Sequence, residues 1–451
     1  MNAASGLRPF RIAVVGAGPA GLYLADQLTY DAETATVVDL FERLPVPFGL
    51  LRYGVAPDHP TIKSASETFQ EILDRPQVNL YCNVQVGRDV SVAELRERYD
   101  AVVYANGADT DRRLGIEGEE LPGSTSATDF VKWYNGHPEA DAHDLRGVKS
   151  VALIGAGNVA LDVARILVKD AKLLTDTDIP AGVLNTLAAS SVTDVHLIAR
   201  RGPEFARFTT KELRELGGLD GVDVIVDPEE IPADDPDGLG SVGRRNLGVL
   251  RSWATQERAG APRRVHLHFG ARPEQLLGDA SVRGIRVATA RGSVDVDAHL
   301  VIRAIGYRSQ PIAGVSFNEE SGTIPHQDHR VRRGDDATGR EYAVGWVKRG
   351  PSGILGTNRG DAADTAHVIR EDFGRTSKVL PSSTVEDVFA QRGVVFLDKE
   401  SWSRIVRHEH ALGADCGRGR VKIQDWQTLV DIGRAVGENS GVDPEYSSSR
   451  G

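Results

Sequence analysis

Two stretches of this 451-residue chain carry residues suited to holding a phosphate-rich ligand. In "IAVVGAGPAGLYLADQL" the apolar residues Ile12 to Val15 run into Gly16, Gly18 and Gly21, with Pro19 and Ala20 between the last two. In "VALIGAGNVALDVAR" the apolar run Val151 to Ile154 leads to Gly155, Gly157 and Ala160. Strand, glycine turn and helix start in that order form a dinucleotide-binding loop. The first glycine permits the tight turn, the second lets backbone approach a pyrophosphate, and the third position sets how closely the helix packs on its strand. The helix N-terminus then offers free N–H groups to the phosphates. The chain builds this device twice, and the residues downstream of each loop tell the two apart.

After the first loop, the strand "TVVDLFE" closes in Glu42, placed to accept both hydroxyls of an adenosine ribose. Asp39 competes for that role but sits inside the strand. After the second loop, Asn158 and Val159 open the helix and would meet the pyrophosphate. The following strand, "DVHLIARR", ends where an NAD site places an acid and presents Arg200 and Arg201 instead. Two guanidiniums there can grip a 2′-phosphate bidentately, so NADP(H) is expected over NAD(H). Near the far end, "GWVKRGPSGILGTNRGDAADTA" reads as another glycine-rich turn, with a helix starting at about Asp361. Its Gly353, Ile354 and Leu355 could lay backbone amides against a flavin ring or pyrophosphate.

The elements that must position these residues suit an α/β chain of two ordinary domains. Its 48 glycines fall at strand ends and turns, with no collagen-like period. No apolar run reaches the length of a membrane-spanning helix. The leading "MNAASGLRP" is too short for a targeting peptide, so a cytoplasmic location is expected. Cys82 and Cys416 form no CxxC pair, which excludes a redox dithiol and a cysteine-ligated iron–sulfur cluster. Electron chemistry would therefore need a bound organic cofactor. The net charge of −11 argues against nucleic acid. Locally, "GRRNLGVLRSWATQERAGAPRR" sets Arg244, Arg245, Arg251, Arg258, Arg263 and Arg264 against the single acid Glu257. On a helix, Arg244, Arg251 and Arg258 would share a face.

"YDAVVYANGA", Tyr99 to Ala108, reads as a buried strand, and "AHLVIRAIGYRSQP", Ala298 to Pro311, as a strand and an exit. Tyr99 to Ala108 also resembles the segment that runs beneath the dinucleotide in two-dinucleotide flavoproteins, which implies FAD at the first loop and two Rossmann-like dinucleotide-binding domains in the glutathione reductase-like arrangement. The domain at 109–308 would bind NADP and be inserted in a discontinuous FAD domain of 1–108 and 309–451. Between the second loop's helix and "DVHLIARR", Lys169 to Ser191 should add a helix, while Gly270 to Val294 shows no clear pattern.

The stretches "VGAGPAG", "LPVPFGLLRYGVAPDHPTIK", "GAGNVALDVARIL", "RRGPEFARFTTKELREL" and "GWVKRGPSGILGTNR" resemble, in this order, the adrenodoxin reductase-like ferredoxin-NADP reductases, bacterial members included. The resemblance spans nearly the full length. It implies FAD contacts at Gly16, Gly18, Glu42, Leu50, Val86, Trp346 and Gly353 to Leu355. It implies NADP contacts at Asn158, Val159, Arg200, Arg201, Glu212 and Gly353. Arg112 matches a family arginine near the cofactors, with Arg113 the alternative register. The family's active-site histidine falls on His59 and its linked acid on Glu215, although His59 would also serve as a turn residue before Pro60. The implied reaction is hydride transfer from NADPH to bound FAD, then single electrons to a ferredoxin. Ferredoxins are usually acidic, which would give the basic stretch at Arg244, Arg245 and Arg251 a docking role. Alternatives are an FAD- and NADPH-dependent monooxygenase, or a reductase subunit of a larger complex, whose cysteine clusters are absent here.

Overall fold

The computed structural model describes residues 8–30, 36–334, 336–373 and 379–435. Its first sheet grows from the run Ile12 to Val15, which lies in the strand Phe10–Val15 and is buried on both faces. Strands so uniformly apolar must be covered on both sides, as parallel sheets are. Phe10–Val15 pairs in parallel with Thr36–Glu42 on one side and Ala101–Tyr104 on the other, with Val15 opposite both Phe41 and Tyr104. Val78–Cys82 extends the sheet beyond Thr36–Glu42. At the other edge lie Asp336–Ala343, Arg330–Arg333 and His326–Gln327, giving seven strands in all.

The second sheet is parallel throughout, in the order Ser124–Ser126, Leu300–Arg303, Ser150–Ile154, Asp194–Ala199, Arg263–Phe269, Val222–Val226. Its glycine-loop strand, Ser150–Ile154, again lies inside the sheet, between Leu300–Arg303 and Asp194–Ala199. Each glycine turn therefore leaves the carboxyl end of an interior strand with neighbours on both sides, which is where open α/β sheets bind ligands. A two-stranded antiparallel ribbon, Thr110–Asp111 with Tyr307–Arg308, lies where the chain passes from the first sheet to the second and back.

Three local features differ from the sequence expectations. The turn at Gly353 enters its helix at once, as Leu355–Phe373, six residues before Asp361, because Thr357 Oγ1 accepts the Ile354 N–H and closes the first turn. Ser241–Ala254 stops short of Arg258, which therefore shares no helix face with Arg244 and Arg251. Gly260 and Pro262 just beyond it do not sustain a helix. The unpatterned stretch after Gly270 forms a three-stranded antiparallel sheet, Arg272–Leu277, Gly284–Thr289 and Gly292–Asp297. The stretch after Lys169 holds the expected helix, Ala181–Ala188. No helix among the described residues is long and apolar enough to cross a membrane.

Candidate active site

Four chain segments converge on the first glycine loop. Gly16 has φ +113°, and a Cβ there would stand 2.5 Å from the Ala105 carbonyl oxygen, so only glycine fits against Ala105 and Asn106. Gly21 presses the helix Pro19–Tyr30 onto its strand, since a Cβ would lie 2.1 Å from Gly16 O. The segment of "PFGLL" docks on the loop's outer side. Phe48, at φ +84°, donates its N–H to Ala17 O at 2.9 Å, and Gly49 faces Gly18. Leu50 follows as the first residue of the short helix Leu50–Tyr53. Gly345 abuts Ala20, which places Trp346 near the same loop, and the Trp346 indole N–H donates to Ser352 O at 3.1 Å, tying in the Gly353–Leu355 turn.

Glu42 places a carboxylate beside this loop. Its two carboxylate oxygens accept the N–H groups of Ala17 and Leu44, each at 3.0 Å, leaving lone pairs for a ribose. Burial pushes the Glu42 carboxyl up despite these two bonds. Asp39, the other acid of the strand, is engaged elsewhere. It is fully buried and already bonded to Arg11, Asn79 and Tyr99. Val86 is buried on the stretch leaving Val78–Cys82, where Val84 donates its N–H to Glu42 O at 2.9 Å.

The second loop repeats the design with one opening. A Cβ at Gly155 would sit 2.2 Å from Ala304 O, whereas Gly157 has open space around it. The helix Asn158–Val168 starts at Asn158, as expected, with Ala160 fully buried. Asn158 Oδ1 accepts the Thr209 N–H at 2.8 Å, and Ala156 O accepts the Arg207 N–H at 2.8 Å. The segment after Arg201 is thereby clamped to the glycine loop. Arg200 and Arg201 are exposed, and neither guanidinium has an acid or hydrogen-bond partner among the described residues. Nearby, Glu212 lies in the first turn of Thr210–Gly217 with its Oε2 buried and unpartnered.

Between the two loops runs a chain of polar and ionic contacts. His59 Nε2 lies 3.0 Å from Glu215 Oε2. The preceding residue, Asp58, takes a bidentate pair from Arg165 at 2.8 and 2.9 Å and a third bond from Lys169 at 2.8 Å. Arg165 also lies 2.9 Å from Asp162 and 3.8 Å from Glu215. Burial alone would raise Asp58, but its bonds to Arg165 and Lys169 hold it well below the usual carboxylate range. Burial pushes Asp162 up, with Arg165 and His59 opposing. Tyr307, whose ring centroid is 5.6 Å from that of Trp346, is likewise raised, first by burial and then by the charge of Asp162. Of the two adjacent arginines, Arg113 pairs with Glu120 at 2.6 Å, whereas Arg112 has no side-chain partner among the described residues.

Comparison with known proteins fits two nucleotide loops on one chain. The family profile described as pyridine nucleotide-disulphide oxidoreductase matches residues 10–227. NADPH-ferredoxin reductase FprA of Mycobacterium tuberculosis is 41% identical over 459 aligned positions, covering 95% of this chain and 100% of that protein. The chain belongs to the NADPH-ferredoxin and adrenodoxin reductase family. The mitochondrial NADPH:adrenodoxin oxidoreductase of Arabidopsis thaliana is 36% identical, over 94% of this chain and 95% of its own. The solved structure of M. tuberculosis FprA in complex with NADPH superposes with a TM-score of 0.88 at 40% identity, covering 95% of this chain and 100% of that one.

The residues present fit the two dinucleotides that such a reductase uses. Beside the first loop Asn106 Oδ1 is buried without a partner, as Glu212 Oε2 is beside the second, and both loops lack the side chains that would block a pyrophosphate. The Asp58–Arg165–Asp162 cluster was not legible in the sequence. Asp162 and Arg165 share one helical turn, but Asp58 lies 107 positions from Arg165, and only the fold brings it to them. The basic stretch is more neutral than its composition suggests. Arg251 pairs with Asp235 at 2.8 Å and Arg264 with Asp194 at 2.6 Å, while Arg244 bonds only the Leu239 carbonyl.

Proposed function

We propose that this chain is an NADPH-ferredoxin reductase in which the loop at Gly16 holds FAD and the loop at Gly155 receives NADPH. The observation that carries the assignment of roles is the contrast between the loops: Glu42 closes the strand after the first, and Arg200 and Arg201, with no acid or hydrogen-bond partner among the described residues, follow the strand after the second. When bound, FAD accepts a hydride from NADPH and hands on electrons singly to an iron–sulfur protein.

The chain's own residues bind and orient. Glu42 accepts the ribose hydroxyls of the resident dinucleotide, and the amides at Gly18 and at the start of Pro19–Tyr30 face its phosphates. Leu50, Val86, Trp346 and the Gly353–Leu355 turn line the rest of that site in this reading. Asn158, Val159 and Glu212 meet the arriving dinucleotide, and the two arginines select its 2′-phosphate. His59 and Glu215, linked Nε2 to Oε2, close the gap between the two halves and fix each other's orientation. Arg112 supplies a free cation near the junction.

The same reading divides the chain into 1–108 with 309–451 and 109–308. The two-stranded ribbon at Thr110–Asp111 and Tyr307–Arg308, just inside those boundaries, supports that division. For ferredoxin we propose docking on Arg244 and Arg245, the exposed arginines of the basic helix without an acid partner among the described residues, with Arg251 contributing less because Asp235 neutralises it. A cytoplasmic location belongs to the same proposal, supported by two thiols, buried Cys82 and exposed Cys416, that form no disulfide. The test is a visible spectrum of the purified protein followed by anaerobic NADPH titration with a panel of ferredoxins. A flavin band bleached by NADPH and restored by a ferredoxin is expected. A colourless protein that takes up no FAD would contradict the reading.

A further inference from the structure

On the turn that follows the paired arginines, an apolar ring stands where the core does not need it. Phe205 ends the turn Pro203–Phe205 and is 52% exposed, whereas Phe208, three residues on, is 1% exposed and belongs to the domain's apolar core. The Arg201 guanidinium carbon lies 5.0 Å from the centroid of the Phe205 ring. The turn itself is fixed at both ends. Phe205 donates its N–H to Gly202 O at 3.1 Å, Arg207 donates to Ala156 O in the glycine loop, and Thr209 donates to Asn158 Oδ1. Glu204, the acid on the turn, lies over Gly202 and pairs with neither arginine.

We propose that Phe205 is a positioning residue for NADPH selectivity: its ring holds the Arg201 guanidinium over the second glycine loop, ready for the 2′-phosphate. The inference rests on the reading of Arg200 and Arg201 as the phosphate arms. A long exposed arginine loses side-chain entropy when it grips an anion. Packing the guanidinium plane against an aromatic face beforehand removes part of that loss. Arg200 has no aromatic partner among the described residues, so Arg201 is the preorganised member of the pair.

The experiment is calorimetric binding of 2′,5′-ADP and of 5′-AMP to the FAD-loaded protein, ligands that differ only in the 2′-phosphate. Exposed cation–π contacts correspond to about a two- to fivefold change in affinity. Phe205→Leu should weaken 2′,5′-ADP by about that factor and leave 5′-AMP unchanged. Phe205→Tyr should restore the parent value, and Phe205→Leu should have no further effect on an Arg201→Ala background. In turnover, Phe205→Leu should raise KM for NADPH with kcat unchanged. Equal losses in both backgrounds, a tyrosine variant no better than leucine, or parallel weakening of 5′-AMP would overturn the proposal. A parent protein that binds 2′,5′-ADP no more tightly than 5′-AMP would instead overturn the assignment of the arginines, before any Phe205 variant is compared.

Discussion

His59 Nε2 and Glu215 Oε2 lie 3.0 Å apart although 156 positions separate them in the chain. One follows the short helix Leu50–Tyr53, whose entry packs on the first glycine loop; the other sits on Thr210–Gly217, whose N-terminus is clamped to the second. The contact is therefore a direct report on how the two nucleotide sites face each other. Removing either partner takes away one charge-assisted bond, an interaction of about 1.5–3 kcal/mol, or roughly ten- to hundredfold in rate. His59→Ala and Glu215→Ala should each slow NADPH-dependent ferricyanide reduction in that range. The double variant should be little slower than either single one, because the pair acts as a unit. Stopped-flow kinetics of flavin reduction checks both statements, and additive losses would show that the residues act separately.

Asp58 and Arg165 form a buried pair, with side chains 5% and 2% exposed. Asp58→Ala leaves a buried guanidinium short of its main acid, a change that destabilises by about 3–5 kcal/mol. A markedly lower melting temperature of the FAD-loaded protein is expected. Replacing both partners with apolar residues, Asp58→Leu with Arg165→Met, should recover most of the loss.

Much of this site was readable from short-range patterns. Each glycine loop is a contiguous strand–turn–helix signal, so Gly16, Gly21, Gly155 and Ala160 could be read without tertiary knowledge, and the helix Asn158–Val168 begins where it was expected. The preference for Glu42 over Asp39 was also local, since position along the strand separates them; the structure adds that Asp39 is buried among Arg11, Asn79 and Tyr99. What was not legible depends on contacts between distant segments. Asp58 looks like a turn aspartate and Arg165 like a helix-flank arginine, and Phe205 looks like core until its exposure is known. The net charge of the basic stretch was not legible for a related reason: composition counts arginines but not the acids, Asp235 and Asp194, that the fold brings to them.

Arg200→Ala combined with Arg201→Ala should narrow the preference for NADPH over NADH. Two charged contacts to a phosphate, about 1.5–3 kcal/mol each, set a loss of roughly a hundredfold or more in kcat/KM for NADPH and little change for NADH. Steady-state ferricyanide assays with both nucleotides measure the ratio. An unchanged ratio would remove these arginines from the phosphate site.

Ferredoxin reduction should fall steeply with ionic strength, because complementary charges speed encounter and salt screens them. Arg244→Glu with Arg245→Glu should weaken it while ferricyanide reduction survives. Arg251→Glu should have the smaller effect, since Asp235 already offsets its charge. Equal loss of both activities in the Arg244 and Arg245 variant would sink the docking assignment.

Stability should decline in acid in two stages. Burial, reinforced by the charge of His266, holds His196 at about 3, and burial holds His268 at about 4, both below the usual 6.5. The unfolded chain then binds protons that the folded chain refuses, so stability falls as pH drops from 6.5 toward 4. Burial alone would raise Glu409, but Arg52 and Arg420 hold it at about 2 instead of 4.5. Its contribution is intact above pH 4.5 and is lost as pH falls toward 2. Thermal melts across this range should show both declines, and Glu409→Gln should make the lower one shallower, with Asp58, Asp178 and Asp194, also held low by their basic partners, supplying the rest.

The most direct test of the central claim is an anaerobic spectrophotometric titration of the purified holoprotein with NADPH, followed by addition of an oxidised ferredoxin. A flavin band that NADPH bleaches far more readily than NADH, and that ferredoxin restores as its own spectrum becomes reduced, is the expected result. A band that NADPH leaves unbleached, or a reduced flavin that no ferredoxin of a broad panel reoxidises, would contradict the account.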